Sequence, residues 1–173
     1  MHSAGDYRPI KDFPGYYVNP YGDIHSESSG GSLRHSKTLQ GDSKVTLYKD
    51  GERITRSVRV LVAEAFVDPP FSEGAYTRYP ANRVIILNND KDDIRAENLA
   101  WRPVWFAQKY VTQFRPVYPE SYYTRSVIDL NANVVYGSIL EAGVTNGHLF
   151  ADIYHSILTG DTVFPRSARY DWV

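Results

Sequence analysis

The stretch NNDKDD, residues 88 to 93, brings three carboxylates, Asp90, Asp92 and Asp93, into one short segment. Carboxylates this close can hold a hard divalent cation, whose preferred ligands are oxygens. The segment lacks the glycine and the distal glutamate of a calcium loop, so it reads first as a solvated turn. The five histidines, His2, His25, His35, His148 and His155, do not pair at metal-ligand spacing. His148 and His155 can share a helix face, but each reads as a surface or packing histidine. With no cysteine in the chain, disulfides and thiolate zinc sites are excluded. No metal and no cofactor is expected from these residues.

The elements around the turn follow from pattern and punctuation. Tyr16 to Val18 read as a strand, Asn19 to Asp23 as a turn, and Ile24 resumes the strand. Residues 28 to 43, rich in Ser and Gly, read as an exposed loop. Val45 and Leu47 alternate with polar neighbours, Asp50-Gly51 signals a hairpin turn, and Ile54 returns the chain. Val58, Leu61, Val62, Ala65 and Phe66 repeat at helical spacing, with Ser57 as the cap and Asp68-Pro69-Pro70 as the stop. After an irregular loop to Asn82, Val84 to Leu87 form a short apolar strand leading into the acidic turn.

Beyond the turn, Trp101, Trp105, Phe106, Tyr110 and Phe114 keep helical spacing until Pro116. Residues 115 to 125, RPVYPESYYTR, read as an extended linker. The segment SVIDLNANVVYGS is a hairpin turning near Asn131-Ala132-Asn133. Helices follow at about 138 to 143 and 147 to 159, Gly160 ends the second, and TVFPRSARYDWV closes as a strand.

The chain has 173 residues, enough for one compact domain or a few small modules sharing a core. Hydrophobic content of 42% and charged content of 23% are those of a globular protein. No apolar run reaches the roughly 18 residues that cross a bilayer, and the N-terminus has neither the basic start nor the apolar core of a signal peptide. Net charge is −1, whereas a protein that grips phosphates usually carries a basic excess. Arg34, His35, Lys37, Lys44, Arg53, Arg56 and Arg59 could still form a local footprint on DNA, or lie on a solvated sheet face. The 14 tyrosines, 7 phenylalanines and 3 tryptophans suit either an aromatic core or surfaces buried against a partner.

In order along the chain, DYRPIKDFPGYYVNPYGDIHS, VRVLVAEAFVDPP, VIILNNDKDDIRAENLAW and the region from SVIDLNANVVYGS to YDW form a series. Together they resemble the phage-type HNH homing endonucleases: an N-terminal nuclease-associated modular domain, an HNH ββα-metal motif and a C-terminal intron-encoded-nuclease helix-turn-helix repeat. The resemblance implies an α+β fold of small antiparallel sheets, with an HNH-like core and a C-terminal hairpin plus helix-turn-helix. It divides the chain into 1–68, 69–114, a linker at 115–125, and 126–173.

In that family a histidine acts as general base beside a metal ligand, and a second ligand sits on the following helix. Aligned on Glu97-Asn98-Leu99 and Trp101, the general base falls on Ile86, its neighbour on Ile85, and the second ligand on Ala107. The family's preceding V-H-R histidine falls on Arg59. The motif frame stays as Lys91, Glu97, Asn98 and Trp101. Isoleucine can neither take a proton nor bind a cation, and losing a general base costs about 10²- to 10⁴-fold in rate. The presumed recognition helix, GHLFADIYHSILTG, holds no Lys or Arg and carries Asp152, unlike a helix that meets phosphates and base edges.

From these readings we expect a catalytically inactive relative, a pseudo-endonuclease. It would be phage-encoded and repurposed as a protein-binding structural or decoration component of a virion or other large assembly. Tyr118, Tyr122 and Tyr123 are the candidate partner contacts. Its place would be the virion or host cytoplasm, with no membrane partner and no secretion through a signal peptide. One alternative is a DNA-binding regulator or specificity module, contacting DNA through Arg34, Lys37, Lys44, Arg53, Arg56 and Arg59. The other is an active HNH endonuclease with a rearranged site.

Overall fold

The computed structural model describes residues 5–68, 82–165 and 168–173. Among them the chain forms small antiparallel sheets and short helices, an α+β architecture, packed as two compact units, Met1–Val104 and Trp105–Val173. The Pro69-Pro70 helix stop and most of the loop expected after it lie outside the described residues.

In the first unit, β1 (Arg8–Pro9), β2 (Tyr16–Val18), β3 (Ile24–Ser26) and β4 (Gly31–Ser32) make one sheet in that order. The β2–β3 turn is built on Asn19, whose Oδ1 accepts the backbone N–H groups of Tyr21 and Asp23 at 3.0 and 2.8 Å. Gly22 is required there: its φ is +92°, and a Cβ would come within 2.7 Å of Ile94 Cδ1. The expected Ser/Gly loop contains β4 and β5 (Ser36–Lys37). With β6 (Ser43–Lys49) and β7 (Glu52–Ser57), β5 forms a second sheet. Asp50 and Gly51 both have positive φ, 51° and 80°, the backbone of the tight hairpin turn their sequence signals.

Helix α1 (Val58–Phe66) buries Val58, Leu61, Val62 and Ala63. Ser57 stands at its N-cap but makes no side-chain capping bond, and its Oγ is buried without a hydrogen-bond partner. This corrects the expected cap. β8 (Asn82–Ile86) and β9 (Leu99–Pro103) pair antiparallel, Ile86 opposite Leu99 and Val84 opposite Trp101. Val18, Ile24, Val45, Leu47, Leu61, Val84, Ile86 and Leu99 meet in one core, shared by the N-terminal segments and the β8–β9 hairpin. Trp101, expected to open the aromatic helix, belongs to β9 instead. Ladder bonds to β8 hold that stretch extended, and Pro103 keeps Arg102 out of helical backbone.

The second unit contains α2 (Val104–Thr112, its first residue in the first unit), α3 (Ser121–Thr124), β10 (Val127–Asp129), β11 (Val134–Tyr136), α4 (Ile139–Asn146), α5 (Phe150–Thr159) and β12 (Tyr170–Trp172). The strands order β11-β10-β12. Helix α4 starts with reciprocal capping: Ser138 Oγ accepts the Glu141 N–H at 3.0 Å, and the Glu141 carboxylate accepts the Gly137 N–H at 2.6 Å. Gly147, with φ 65°, ends it. The expected linker is part of this unit rather than a spacer, because Tyr118 and Tyr122 pack into its core with Val127, Ile139, Phe150 and Ile153.

Candidate functional site

The loop between β8 and β9 is held by two amides. Asn98, 9% exposed, donates from Nδ2 to Asn88 Oδ1 at 2.8 Å and to the Asp93 carbonyl at 2.7 Å. Its Oδ1 accepts the Asn88 N–H at 3.1 Å. Asn88 Oδ1 also accepts the Asp90 N–H at 2.9 Å, and Asp90 Oδ1 accepts the Asp92 N–H at 3.0 Å. Arg95 closes the loop with a two-pronged contact to Asp93 at 2.7 and 2.8 Å. That hydrogen-bonded guanidinium keeps the Asp93 carboxyl below its ordinary range, and the Asp93 carboxylate raises Arg95 in return. The carboxylates of Asp90 and Asp93 therefore bond their own loop, while that of Asp92 reaches Lys37 on β5.

Of the motif frame, Asn98 is the lock just described. Lys91 Nζ donates to the Gln40 carbonyl at 2.6 Å and stands 3.6 Å from Asp42. Trp101 packs half-buried on the core, and Glu97 is exposed on a single 3-10 turn, Ala96–Asn98. Ile85 and Ile86 are 2% and 7% exposed, side by side in β8 on opposite faces. Ala107 is buried on α2, in the second unit. A divalent cation, which the HNH resemblance implies, finds no side-chain donor atoms at these positions. Among the described residues no group of three His, Asp or Glu side chains is placed to hold a metal.

The candidate DNA cations fall into two sets. Lys37 pairs with Asp92, Arg59 with Asp42 at 3.2 Å, and Arg56 with Glu64 at 3.0 and 3.1 Å while lying over the Phe13 ring. Lys44 and Arg53 stand on the outer face of the β5–β7 sheet. There strand register puts Ser36 opposite Lys44, Thr46 opposite Thr55, and Tyr48 opposite Arg53. Lys44 and Thr46 are half-buried, and Tyr48, Arg53 and Thr55 are exposed. No Asp or Glu occurs among the strand residues of this face. Arg34 is exposed just before β5.

The three tyrosines offered as partner contacts do not form a surface patch. Tyr118 and Tyr122 stack at 5.0 Å, and Tyr122, 8% exposed, also meets Tyr154 at 5.2 Å. Burial raises the phenol pKa of both. The Tyr118 hydroxyl donates to the Gln113 carbonyl at 2.8 Å. Tyr123 is 44% exposed, with its hydroxyl accepting the Tyr118 N–H at 3.1 Å. Two of the three rings are core.

Sequence reasoning missed Gln113. Buried on the chain just after α2, it accepts the Phe150 N–H at 2.9 Å and donates to the His148 carbonyl at 3.5 Å, fixing the turn before α5. Its partners lie 35 and 37 residues away, so no local pattern marks it.

No family model matches the chain. It is 31% identical over 68 residues to the H-N-H endonuclease F-TflII of Escherichia phage T5. That match covers 39% of this chain and 35% of the phage protein, so the chain aligns with about a third of its curated relative. A solved structure described as "DNA binding and cleavage by the HNH homing endonuclease I-HmuI" superposes with a TM-score of 0.53 at 20% identity, covering 97% of this chain and 98% of the other. The fold is that of an HNH homing endonuclease. This HNH homing-endonuclease-like chain was expected to be a pseudo-endonuclease, and that expectation is corrected: both similar proteins are endonucleases. The buried Ile85 and Ile86 describe how the HNH-like hairpin packs, and packing does not decide activity.

Proposed function

We propose that this chain binds duplex DNA through the outer face of the β5–β7 sheet and acts on it as a protein of the HNH homing-endonuclease type. The observation that carries the reading is the make-up of that face. Two cations, Lys44 and Arg53, stand with the hydroxyls of Ser36, Thr46 and Thr55 and the ring of Tyr48, and no Asp or Glu stands among the strand residues of this face, Glu52 of β7 lying on the reverse. A two-stranded ribbon fits the major groove, where Lys and Arg meet phosphates and guanine edges and hydroxyls meet either base edges or phosphates. A net charge of −1 is compatible with this, because the repulsive carboxylates lie elsewhere. The likeness to a structure described by DNA binding and cleavage supports a nucleic-acid partner over a virion protein.

The test is anisotropy with a labelled mixed-sequence duplex across about 50 to 200 mM salt, for the parent and for Lys44→Ala and Arg53→Ala. Each variant is expected to weaken binding and to reduce the salt slope by about 1. A parent that ignores duplex DNA at the low-salt end sinks the reading. Incubating the same duplex with Mg²⁺ or Mn²⁺ and resolving nicked strands tests the cleavage that the similar proteins are named for.

A further inference from the structure

The β5–β6 loop and the β8–β9 loop are clasped by ion pairs running in both directions. Lys37 of β5 meets Asp92. Lys91 reaches back to the Gln40 carbonyl at 2.6 Å and to Asp42 at 3.6 Å. Arg59, near the start of α1, takes the same Asp42 carboxylate at 3.2 Å. Two carboxylates thus occupy three cations, and two of those cations, Lys37 and Arg59, are among those the sequence assigns to DNA.

The two carboxylates are not equivalent. The Asp42 side chain is 26% exposed and shared by two cations, and its backbone is fixed by Thr38, whose N–H donates to its carbonyl and whose Oγ1 accepts its N–H. Asp92 is 80% exposed and meets Lys37, itself 50% exposed. Exposed pairs of this kind are weakly held, because water solvates both ions and pairing restrains two side chains. A DNA phosphate offers the same ammonium an oxygen acceptor with the added field of the whole duplex. Lys37 lies on the edge strand with its side chain on the reverse of the face that carries Ser36 and Lys44, so it reaches DNA on that face by swinging around the sheet edge once Asp92 releases it.

Resting on the DNA-binding reading above, we infer that Asp92 is an internal stand-in for a DNA phosphate: it holds Lys37 in the DNA-free protein and yields it to the backbone on binding. The exchange conserves ion pairs. The Lys37–Asp92 contact breaks, a Lys37–phosphate contact forms, and the Asp92 carboxylate passes to water. Asp42, shared and less exposed, keeps Arg59 and Lys91 in place and is the fixed half of the clasp. Asp92 therefore lowers affinity for DNA by holding Lys37 away from it.

The test is a set of duplex affinities for the parent, Asp92→Asn, Asp90→Asn, Lys37→Ala and the double variant Lys37→Ala/Asp92→Asn. Asp90→Asn removes the same charge two residues away without releasing Lys37, so it measures general electrostatics alone. Asp92→Asn should tighten binding about two- to fivefold at low salt, the strength of an exposed pair. Asp90→Asn should fall short of it, and the gain should vanish in the Lys37→Ala background. A loss of folding alone cannot produce that pattern. If Asp92→Asn matches Asp90→Asn, or its gain survives without Lys37, the inference is overturned while DNA binding stands. A parent without salt-dependent binding overturns the DNA-binding reading, and this inference with it.

Discussion

Gln113 caps a helix it does not belong to: its Oε1 accepts the Phe150 N–H at 2.9 Å across 37 residues of sequence. The N-cap residue of α5, Leu149, makes no side-chain capping bond, and the amide of Gln113 instead satisfies the N–H of the first helical residue, one of the donors a helix start leaves open. Gln113→Ala should therefore cost about 1 to 3 kcal/mol, the cost of stranding a buried donor. Urea unfolding gives the number, and a variant within error of the parent would show that water replaces the amide.

Asn98 predicts an effect confined to one loop. Asn98→Ala removes both donors to Asn88 and Asp93 and the acceptor for the Asn88 N–H. Hydrogen exchange at residues 88 to 93 should accelerate at least tenfold, with global stability falling by about 1 to 3 kcal/mol. Unchanged protection in that loop would mean that the Arg95 contact alone holds it.

Asp93 carries a pH signature. Its folded pKa lies below its unfolded value because Arg95 holds the ionised form. Its contribution to stability is thus present above the unfolded pKa, about 3.9, and is lost as pH falls through the lowered folded pKa. Arg95→Ala should return the Asp93 titration toward the ordinary range. Carboxyl NMR on parent and variant reads it directly, and coincident titration curves would refute the assignment.

The aromatic core gives the largest expected loss. Tyr122→Ala deletes a buried ring stacked on Tyr118 and should destabilise the protein by about 3 to 5 kcal/mol, as for other buried aromatics. Tyr123→Ala, at an exposed ring, should cost about 1 kcal/mol or less. Thermal melts of the two variants suffice, and equal midpoints would place Tyr122 outside the core.

Much of this architecture was legible because its signals are local. Asp50-Gly51 fixes a hairpin by backbone conformation, and Gly160 ends α5 in left-handed geometry, whereas Gly147, read as the start of the last helix, ends α4 instead. The errors arose where tertiary contacts overrule a local pattern. Trp101 has the spacing of a helix, but pairing with Val84 draws it into a strand. Tyr118 and Tyr122 sit in a polar, proline-rich stretch that reads as linker, and only contacts with Phe150 and Tyr154 reveal them as core. The cations of the basic segment look alike in sequence. Register and ion pairing separate Lys44 and Arg53 on the outer sheet face from Lys37, Arg56 and Arg59.

The Asn88–Asn98 lock has a consequence for inheritance. The shape of the loop is written largely in two amides, which do not titrate. The strand positions 85 and 86 contribute to the interior instead. Selection can therefore exchange residues on the strand and at the loop rim separately, keeping the same hairpin through many generations of substitution.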